Sequence, residues 1–390
     1  MRPAAALRLL LNRLFLACFT WNFALGMTYI LIPLYAYELG MSGMSIGSLI
    51  AVPMALQMVL NLFGGTYTDR FGGQRVSVIA AAAGVIAGLV FAISASFAGL
   101  MAAQLCWMIS RAFYWPATWS IAAELPGERS TQFSLLNSVT AVGGIVGTAA
   151  AGLIVAAFGF RVGFWAFVLA ATMTLALLST FRAPTHHPPE HRPMWHTYIE
   201  LLRRPAIHYA VLCAYISALP FSLSQSFYPI LFVEKGFSPD EAGWMLALRG
   251  VGQVAAGVAI GRFLRHVGTA SVSVTAGIAV GLCAAASAYF DAFLPIALVV
   301  VGIGFGTGMM TLYFQLLISE ITAQAQRGSA MAMGGLGWGI SHMSTPLIMG
   351  AIKDHFGLHA AFYVLATIAI VCALALEPMH RWAFRHVERR

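Results

Sequence analysis

The chain has 390 residues, 59% of them hydrophobic and only 9% charged, with a mean hydropathy of +0.80. A soluble domain averages about 45–50% apolar residues even with glycine counted, so this composition excludes a soluble fold and describes a polytopic membrane protein. The net charge of +8 would suggest a nucleic-acid partner in a soluble chain; here the placement of the arginines gives it a different meaning.

Twelve apolar runs follow one another, each near the roughly 20 residues a helix needs to cross a bilayer. They cover 14–37, 45–64, 76–96, 99–121, 132–157, 162–182, 207–232, 241–263, 271–290, 293–318, 328–350 and 358–377. The first follows Arg2, Arg8 and Arg13, is too long for a signal-peptide core and precedes no small-residue cleavage site, so it reads as a span. The stretch 183–206, with Pro184, Pro188, Pro189 and Pro193, cannot be helical throughout. It divides the chain into 1–182, a linker 183–206, and 207–390. With the N-terminus placed inside, 17 of the 22 Lys and Arg residues fall on inner segments, three on outer loops, and Arg111 and Arg249 within spans. That asymmetry predicts cytoplasmic termini and a multi-pass protein of the cell (inner) membrane.

The two halves repeat. Gly152, Phe158, Gly159, Phe164 and Arg129 recur 198 residues later as Gly350, Phe356, Gly357, Phe362 and Arg327. Gly65 and Gly72 recur at an offset of 196 as Gly261 and Gly268, and Pro53 and Gln57 correspond to Arg249 and Gln253. Such internal repeats are expected of two bundles enclosing a central site.

Chemistry concentrates in few places. Residues 64–76 form a short polar stretch between two apolar runs, with the pattern Gly65-x-x-x-Asp69-Arg70-x-Gly72-x-x-Arg75. Glycines allow a sharp turn and close helix approach, and Asp69 suits the positive end of a helix dipole. Arg70 and Arg75 suit acidic lipid or a pair with Asp69. Arg111 lies mid-span in Ser110-Arg111-Ala112-Phe113-Tyr114-Trp115-Pro116, where a charge costs about 2.5–3.5 kcal/mol on insertion scales. It should face the interior, as a functional group or as an arginine held by backbone carbonyls. Arg249, with Gln253 one turn later, is the second intramembrane cation; the alternative is snorkelling to the surface.

Polar stripes at helical spacing include Asn22, Gly26 and Tyr29; Gln57 and Asn61; Gln104, Arg111 and Trp115; Gln225 and Tyr228; Thr311 and Gln315; Trp338 and His342. They either line a cavity or join helix to helix. The candidate cavity set is therefore Asn22, Tyr29, Gln57, Arg111, Trp115, Gln225, Arg249, Gln253, Gln315, Trp338 and His342. None of the 14 acids lies mid-membrane, which leaves Glu38, Asp69 and His342 as proton carriers and argues for anionic, neutral or amphipathic substrates.

The polar stretch at 65–75 resembles the loop between the second and third transmembrane helices of the major facilitator superfamily (MFS), departing from it at Gly73 and Gln74, where basic residues are usual. The Arg111 segment resembles that family's fourth-helix arginine motif without the glycine that usually follows. Gly143-x-x-x-Gly147-Thr148-x-x-Ala151-Gly152 resembles the glycine-rich motif of its antiporters, with Thr148 in place of proline and Ala151 in place of glycine. The resemblance covers nearly the whole chain and sits nearest the twelve-helix drug:proton antiporter branch. It implies an all-α membrane protein of twelve transmembrane helices in two pseudo-symmetric six-helix bundles. The loop would hold the cytoplasmic side closed in the outward-facing state, and Arg111 would serve proton transfer or substrate. The implied function is secondary active transport by alternating access, as proton-coupled efflux of a small amphipathic or anionic compound. The alternatives are uptake or facilitated diffusion of a metabolite or anion, and a non-transporting receptor.

The expected partners are a small-molecule substrate, the lipid bilayer and a proton, with no nucleic acid, acting as a monomer. No cofactor is expected beyond the proton gradient. An enzyme is not expected: the sequence offers no paired carboxylates, no nucleophile motif and no phosphate-binding Gly-x-x-x-x-Gly-Lys-Ser/Thr loop. No metal is assigned either. The 18 methionines include the pair Met309/Met310 and Met343 beside His342; thioethers suit Cu(I), yet methionine is an ordinary filler of apolar cores. His186, His187, His191 and His196 give the linker only a compositional metal signal. Five scattered cysteines form no CxxC pair.

Overall fold

A computed structural model describes residues 12–125, 128–181, 199–267, 269–322 and 327–384. The arginines of the first eleven residues, the linker histidines, Gly268 and the last three arginines lie outside these. The described residues are helical, with no strand among them. The helices are α1 (Arg13–Glu38), α2 (Gly43–Phe71), α3 (Gly73–Ile93), α4 (Phe97–Glu124), α5 (Arg129–Thr180), α6 (Pro205–Ser224), α7 (Tyr228–Glu234), α8 (Pro239–Val267), α9 (Thr269–Tyr289), α10 (Phe293–Ile321), α11 (Arg327–Phe356) and α12 (Leu358–Phe384). They make up the twelve-helix fold, with α5 crossing twice and α6 and α7 sharing one crossing.

Both exceptions have local causes. The sequence leads one to expect a loop between the fifth and sixth spans. The structure needs only Gly159, whose φ of 80° is the left-handed value that L side chains avoid. Its repeat partner Gly357 has φ 83° and separates α11 from α12 in the same way. The expected seventh span, 207–232, is broken at 225–227. Pro229 has no N–H to give the Gln225 carbonyl four residues back, so the helical ladder stops there and restarts as α7.

The other ends follow ordinary capping. The Asn12 side chain accepts from the Leu14 N–H at 3.0 Å, and Ser96 from the Gly99 N–H at 3.2 Å. Glu241 reaches back to accept from the Ser238 N–H (2.9 Å) and hydroxyl (3.0 Å) at the start of α8. Asp240 and Glu241 open that helix and Arg265 and His266 close it, matching the helix dipole at both ends.

Two compact units result, one of residues 1–41, 52–190 and 236–247, the other of 42–51, 191–235 and 248–390. Each unit holds a short piece that the order of the chain would place in the other, and the glycines show how those pieces seat. In the first unit, a Cβ on Gly152 of α5 would strike the Pro239 carbonyl and come within 3.0 Å of the Asp240 backbone. In the second, a Cβ on Gly350 of α11 would strike the Gly43 carbonyl and sit 2.7 Å from its carbon. The sequence repeat is thus a repeat of backbone contacts. Only the second copy adds a charge: Asp354 accepts from the N–H groups of Gly43 (2.6 Å) and Met44 (2.9 Å), capping α2 from α11.

Within the first unit α1 lies on α5 through Gly26, Gly143 and Gly147; a Cβ on Gly143 would come 2.6 Å from the Phe19 carbonyl oxygen. The segment likened to an antiporter motif is therefore a helix-packing surface here, with the Thr148 hydroxyl donating to the Gly26 carbonyl at 3.1 Å. In the second unit α6 lies on α11 and α8 on α10 through further glycines. Large apolar side chains cover the outside: Val258 is 86% exposed and Ile79 69%. Water does not tolerate such a surface over a whole protein, and a bilayer requires it.

Candidate substrate and proton site

Among the described residues, each unit buries one arginine. In the first, Arg111 on α4 is 7% exposed. Its Nη1 donates to Met108 Sδ, one turn earlier, at 3.7 Å, and Tyr29 of α1 lies within electrostatic reach of the guanidinium. Gly64 lets α2 approach this turn, since a Cβ there would stand 2.7 Å from the Ala112 carbonyl oxygen. Beside it is an aromatic stack that sequence reasoning missed. Trp21 of α1 lies flat on Tyr114 (centroids 4.2 Å apart, planes 3° apart), stacks on Trp107 at 5.2 Å and meets Trp115 edge-on at 5.4 Å. The Trp21 indole N–H donates to the Ser110 hydroxyl at 3.4 Å. The available signal was the series Trp107, Ser110, Arg111, Tyr114, Trp115 on one helix, which calls for an aromatic partner on a neighbour.

Two amides of this unit differ in use. Asn22 is buried but spends its amide N–H on the Cys18 carbonyl of its own helix, at 2.8 Å, which fits the packing alternative. Gln57 is 9% exposed and its Oε1 has no hydrogen-bond partner among the described residues. A buried acceptor left unsatisfied is costly, so Gln57 suits a donor that comes from outside the chain.

In the second unit Arg249 on α8 is 6% exposed, which rules out the snorkelling alternative. Its guanidinium lies over the Phe221 ring of α6, 4.1 Å from the centroid, a cation–π geometry. Phe221 in turn packs on Trp338 of α11 at 4.9 Å. Trp338 stacks on His342 at 4.8 Å and donates its indole N–H to Ser217 at 3.2 Å. His342 is fully buried, with Nε2 3.3 Å from the Gln225 amide nitrogen and Nδ1 2.9 Å from the Trp338 carbonyl oxygen. Thus Arg249, Gln225, Trp338 and His342, chosen from three separate stretches of sequence, share one cluster, and Phe221 and Ser217 join it. Gln253 is half-buried one turn beyond Arg249, and Gln315 is exposed on α10; the described hydrogen bonds and ring contacts do not bring them into this cluster.

The motif at 65–75 is less of a loop than its polarity implies. α2 runs on to Phe71, α3 begins at Gly73, and Gly72 alone, with φ 82°, makes the turn. The Gly72 N–H donates to the Thr68 carbonyl at 2.9 Å, which satisfies the helix end. Asp69 is half-buried in the last turn of α2. Arg70 is exposed with its guanidinium 5.3 Å from the Phe71 ring centroid, and Arg75 is exposed.

The chain matches the Major Facilitator Superfamily over residues 14–234 and again over 210–388. It belongs to that family. This facilitator is 22% identical over 381 residues to Multidrug resistance protein 2 of Bacillus subtilis, covering 93% of this chain and 92% of that one. It is 23% identical over 388 residues to Multidrug resistance protein 1 of the same organism, covering 96% and 97%. Among solved structures, the nucleoside transporter NupG superposes with a TM-score of 0.79 at 14% identity, over 95% of this chain and 98% of that one. A bacterial homologue of the lysosomal transporter Spinster superposes with a TM-score of 0.74 at 16% identity, over 98% of each. The facilitator is therefore a multi-pass membrane transporter of a small molecule, and not an enzyme.

Proposed function

We propose that this facilitator is a proton-coupled exporter of small organic compounds, anionic or amphipathic, working by alternating access in the cell (inner) membrane. It would act as a monomer with both termini in the cytoplasm. The observation that carries the reading is the make-up of the buried polar groups. Each unit buries an arginine against soft or aromatic surface, Met108 in one and Phe221 in the other, while no carboxylate is buried among the described residues. Buried positive charge beside flat aromatic faces suits a planar compound carrying negative or no charge. The end-to-end match to curated multidrug resistance proteins supports export, and the arginine asymmetry supports the orientation.

The test uses energised inverted membrane vesicles containing the protein, with a pH-reporting dye and a panel of aromatic carboxylates and amphipathic drugs. Dissipation of the pH gradient by particular compounds, lost in Arg111→Ala, is the expected result. A flat response across the panel with correctly inserted protein would overturn proton-coupled export and leave uptake or uniport.

A further inference from the structure

His342 and Gln225 meet in a way that fixes their hydrogen atoms. A backbone carbonyl only accepts, so the Nδ1 that faces the Trp338 carbonyl at 2.9 Å must carry a proton. In a neutral imidazole Nε2 is then the acceptor, and what faces it is the donor end of the Gln225 amide, at 3.3 Å. Adding a proton to Nε2 makes both ring nitrogens donors. The Gln225 N–H would then confront another donor, and the amide must turn by half a rotation to present Oε1. A glutamine, with a donor and an acceptor on one uncharged amide, can satisfy both states of the ring from one position.

Gln225 also sits where span seven is discontinuous. It follows the last residue of α6 and precedes α7, with Pro220 in the turn before it and Pro229 in the turn after. We infer that the His342–Gln225 pair is the proton-binding site of the transport cycle, His342 taking a proton on Nε2 and Gln225 turning its amide to relay that state to the joint between α6 and α7. The inference rests on the proton-coupled reading above. The proton comes from water, fills the Nε2 lone pair and leaves a net positive charge on the ring; no covalent bond of the protein breaks.

Arg249 of α8 is linked to the ring by successive contacts through Phe221 and Trp338. Tyr215 of α6 is bonded to Ser344, Tyr228 of α7 to Ser287, and Tyr313 of α10 to Tyr209. Cys372 of α12 is partly buried. The described carboxylates of this unit, Glu200, Glu234, Asp291, Glu320, Asp354 and Glu377, are all exposed. A histidine ordinarily titrates between about pH 5 and pH 8.

Trp338, stacked on the ring, supplies a readout independent of transport, because an imidazolium quenches an adjacent indole. Purified full-length protein in lipid nanodiscs is titrated over that range while tryptophan emission is recorded, and the signal of Trp338→Phe is subtracted. The expected result is one reversible, single-proton loss of emission on acidification, absent in His342→Gln. In Gln225→Glu its midpoint should rise by about one pH unit or more, since a carboxylate favours the charged ring. A transition that survives in His342→Gln, a wild type without one, or a midpoint unmoved in Gln225→Glu would each overturn the pair. Proton-coupled flux in vesicles that is unchanged in His342→Gln would overturn its place in the cycle while leaving the exporter standing. A Trp338 transition without flux in wild type would do the reverse.

Discussion

The two buried arginines stand at places that the repeat does not relate, Arg249 corresponding to Pro53 of the first half, and in unlike surroundings. Arg111 donates to a thioether one turn back, on the helix whose Trp107 and Tyr114 stack on Trp21. Arg249 lies flat on a single ring, and that ring leads through Trp338 to a histidine. The repeat has kept backbone approach and let the chemistry diverge. Gly152 and Gly350 make the same close contact, and Gly159 and Gly357 the same turn, yet nothing in the first unit corresponds to the His342–Gln225 pair. Backbone contacts tolerate no added Cβ, whereas side chains facing an interior are free to change with the ligand they meet.

Substitution separates the two arginines most sharply. Removing a buried charge that meets its ligand costs about 2–5 kcal/mol, so Arg111→Ala should lower vesicle flux by roughly 30-fold or more with insertion unchanged. Unchanged kinetics would make Arg111 a packing residue. Arg249→Lys keeps the charge and loses the planar stack on Phe221. The expected loss is about 1–2 kcal/mol, up to roughly 30-fold in flux. If lysine is fully tolerated there, the stack is incidental and the two sites differ less than their geometry implies.

The glycine contacts test the part that the units share. Gly152→Val and Gly350→Val each force a side chain into backbone, an overpacking that costs typically about 1–3 kcal/mol. Both should lower the melting temperature of the purified protein to a similar extent. A large effect at one and none at the other would mean that the repeat of contacts is unequal. Asp69→Asn should have a smaller effect, slowing the transport cycle several-fold while leaving the stability within about 0.5 kcal/mol of wild type. Full wild-type flux would remove Asp69 from the cycle.

Much of this was readable beforehand, because hydropathy and glycine spacing are local signals. The twelve crossings and the depth of Arg111 follow from run length and from the cost of a charge in hydrocarbon, and the family from the resemblance of residues 65–75 to its motif. Helix ends were less legible: α2 continues through the polar residues 64–71 because nothing before Gly72 breaks its ladder. The break at 225–227 was hidden inside an apolar run, although Pro229 marked it. The site clusters were legible only as separate stripes. That Trp338 and His342 meet Gln225 and Phe221 depends on how α6 lies on α11, and that is set by Gly337, where a Cβ would stand 2.9 Å from the Tyr215 nitrogen.

The smallest effect expected is where a surface carboxylate, Asp291, is tied to a buried cation, Lys235. Lys235, whose side chain is 2% exposed, donates to the carbonyls of Ala288 (2.9 Å) and Phe290 (2.8 Å) beyond the end of α9, and to Asp291 at 2.6 Å. The hydrogen bond and charge of Lys235 hold the Asp291 carboxyl below its ordinary value of 3.8. A carboxyl whose value is depressed on folding contributes stability that is fully present above the unfolded value and is lost as the pH falls through the folded one. Asp291 is open to solvent, where ion pairs contribute little and are screened by salt, and Lys235 keeps two carbonyl partners without it. Asp291→Asn should therefore lower the melting temperature only slightly at neutral pH. The difference from wild type should shrink in high salt and vanish once the pH is well below 3.8. A difference that persists at that acidity would show that Asp291 acts by shape and hydrogen bonding, and that the charge on Lys235 serves the end of α9 alone.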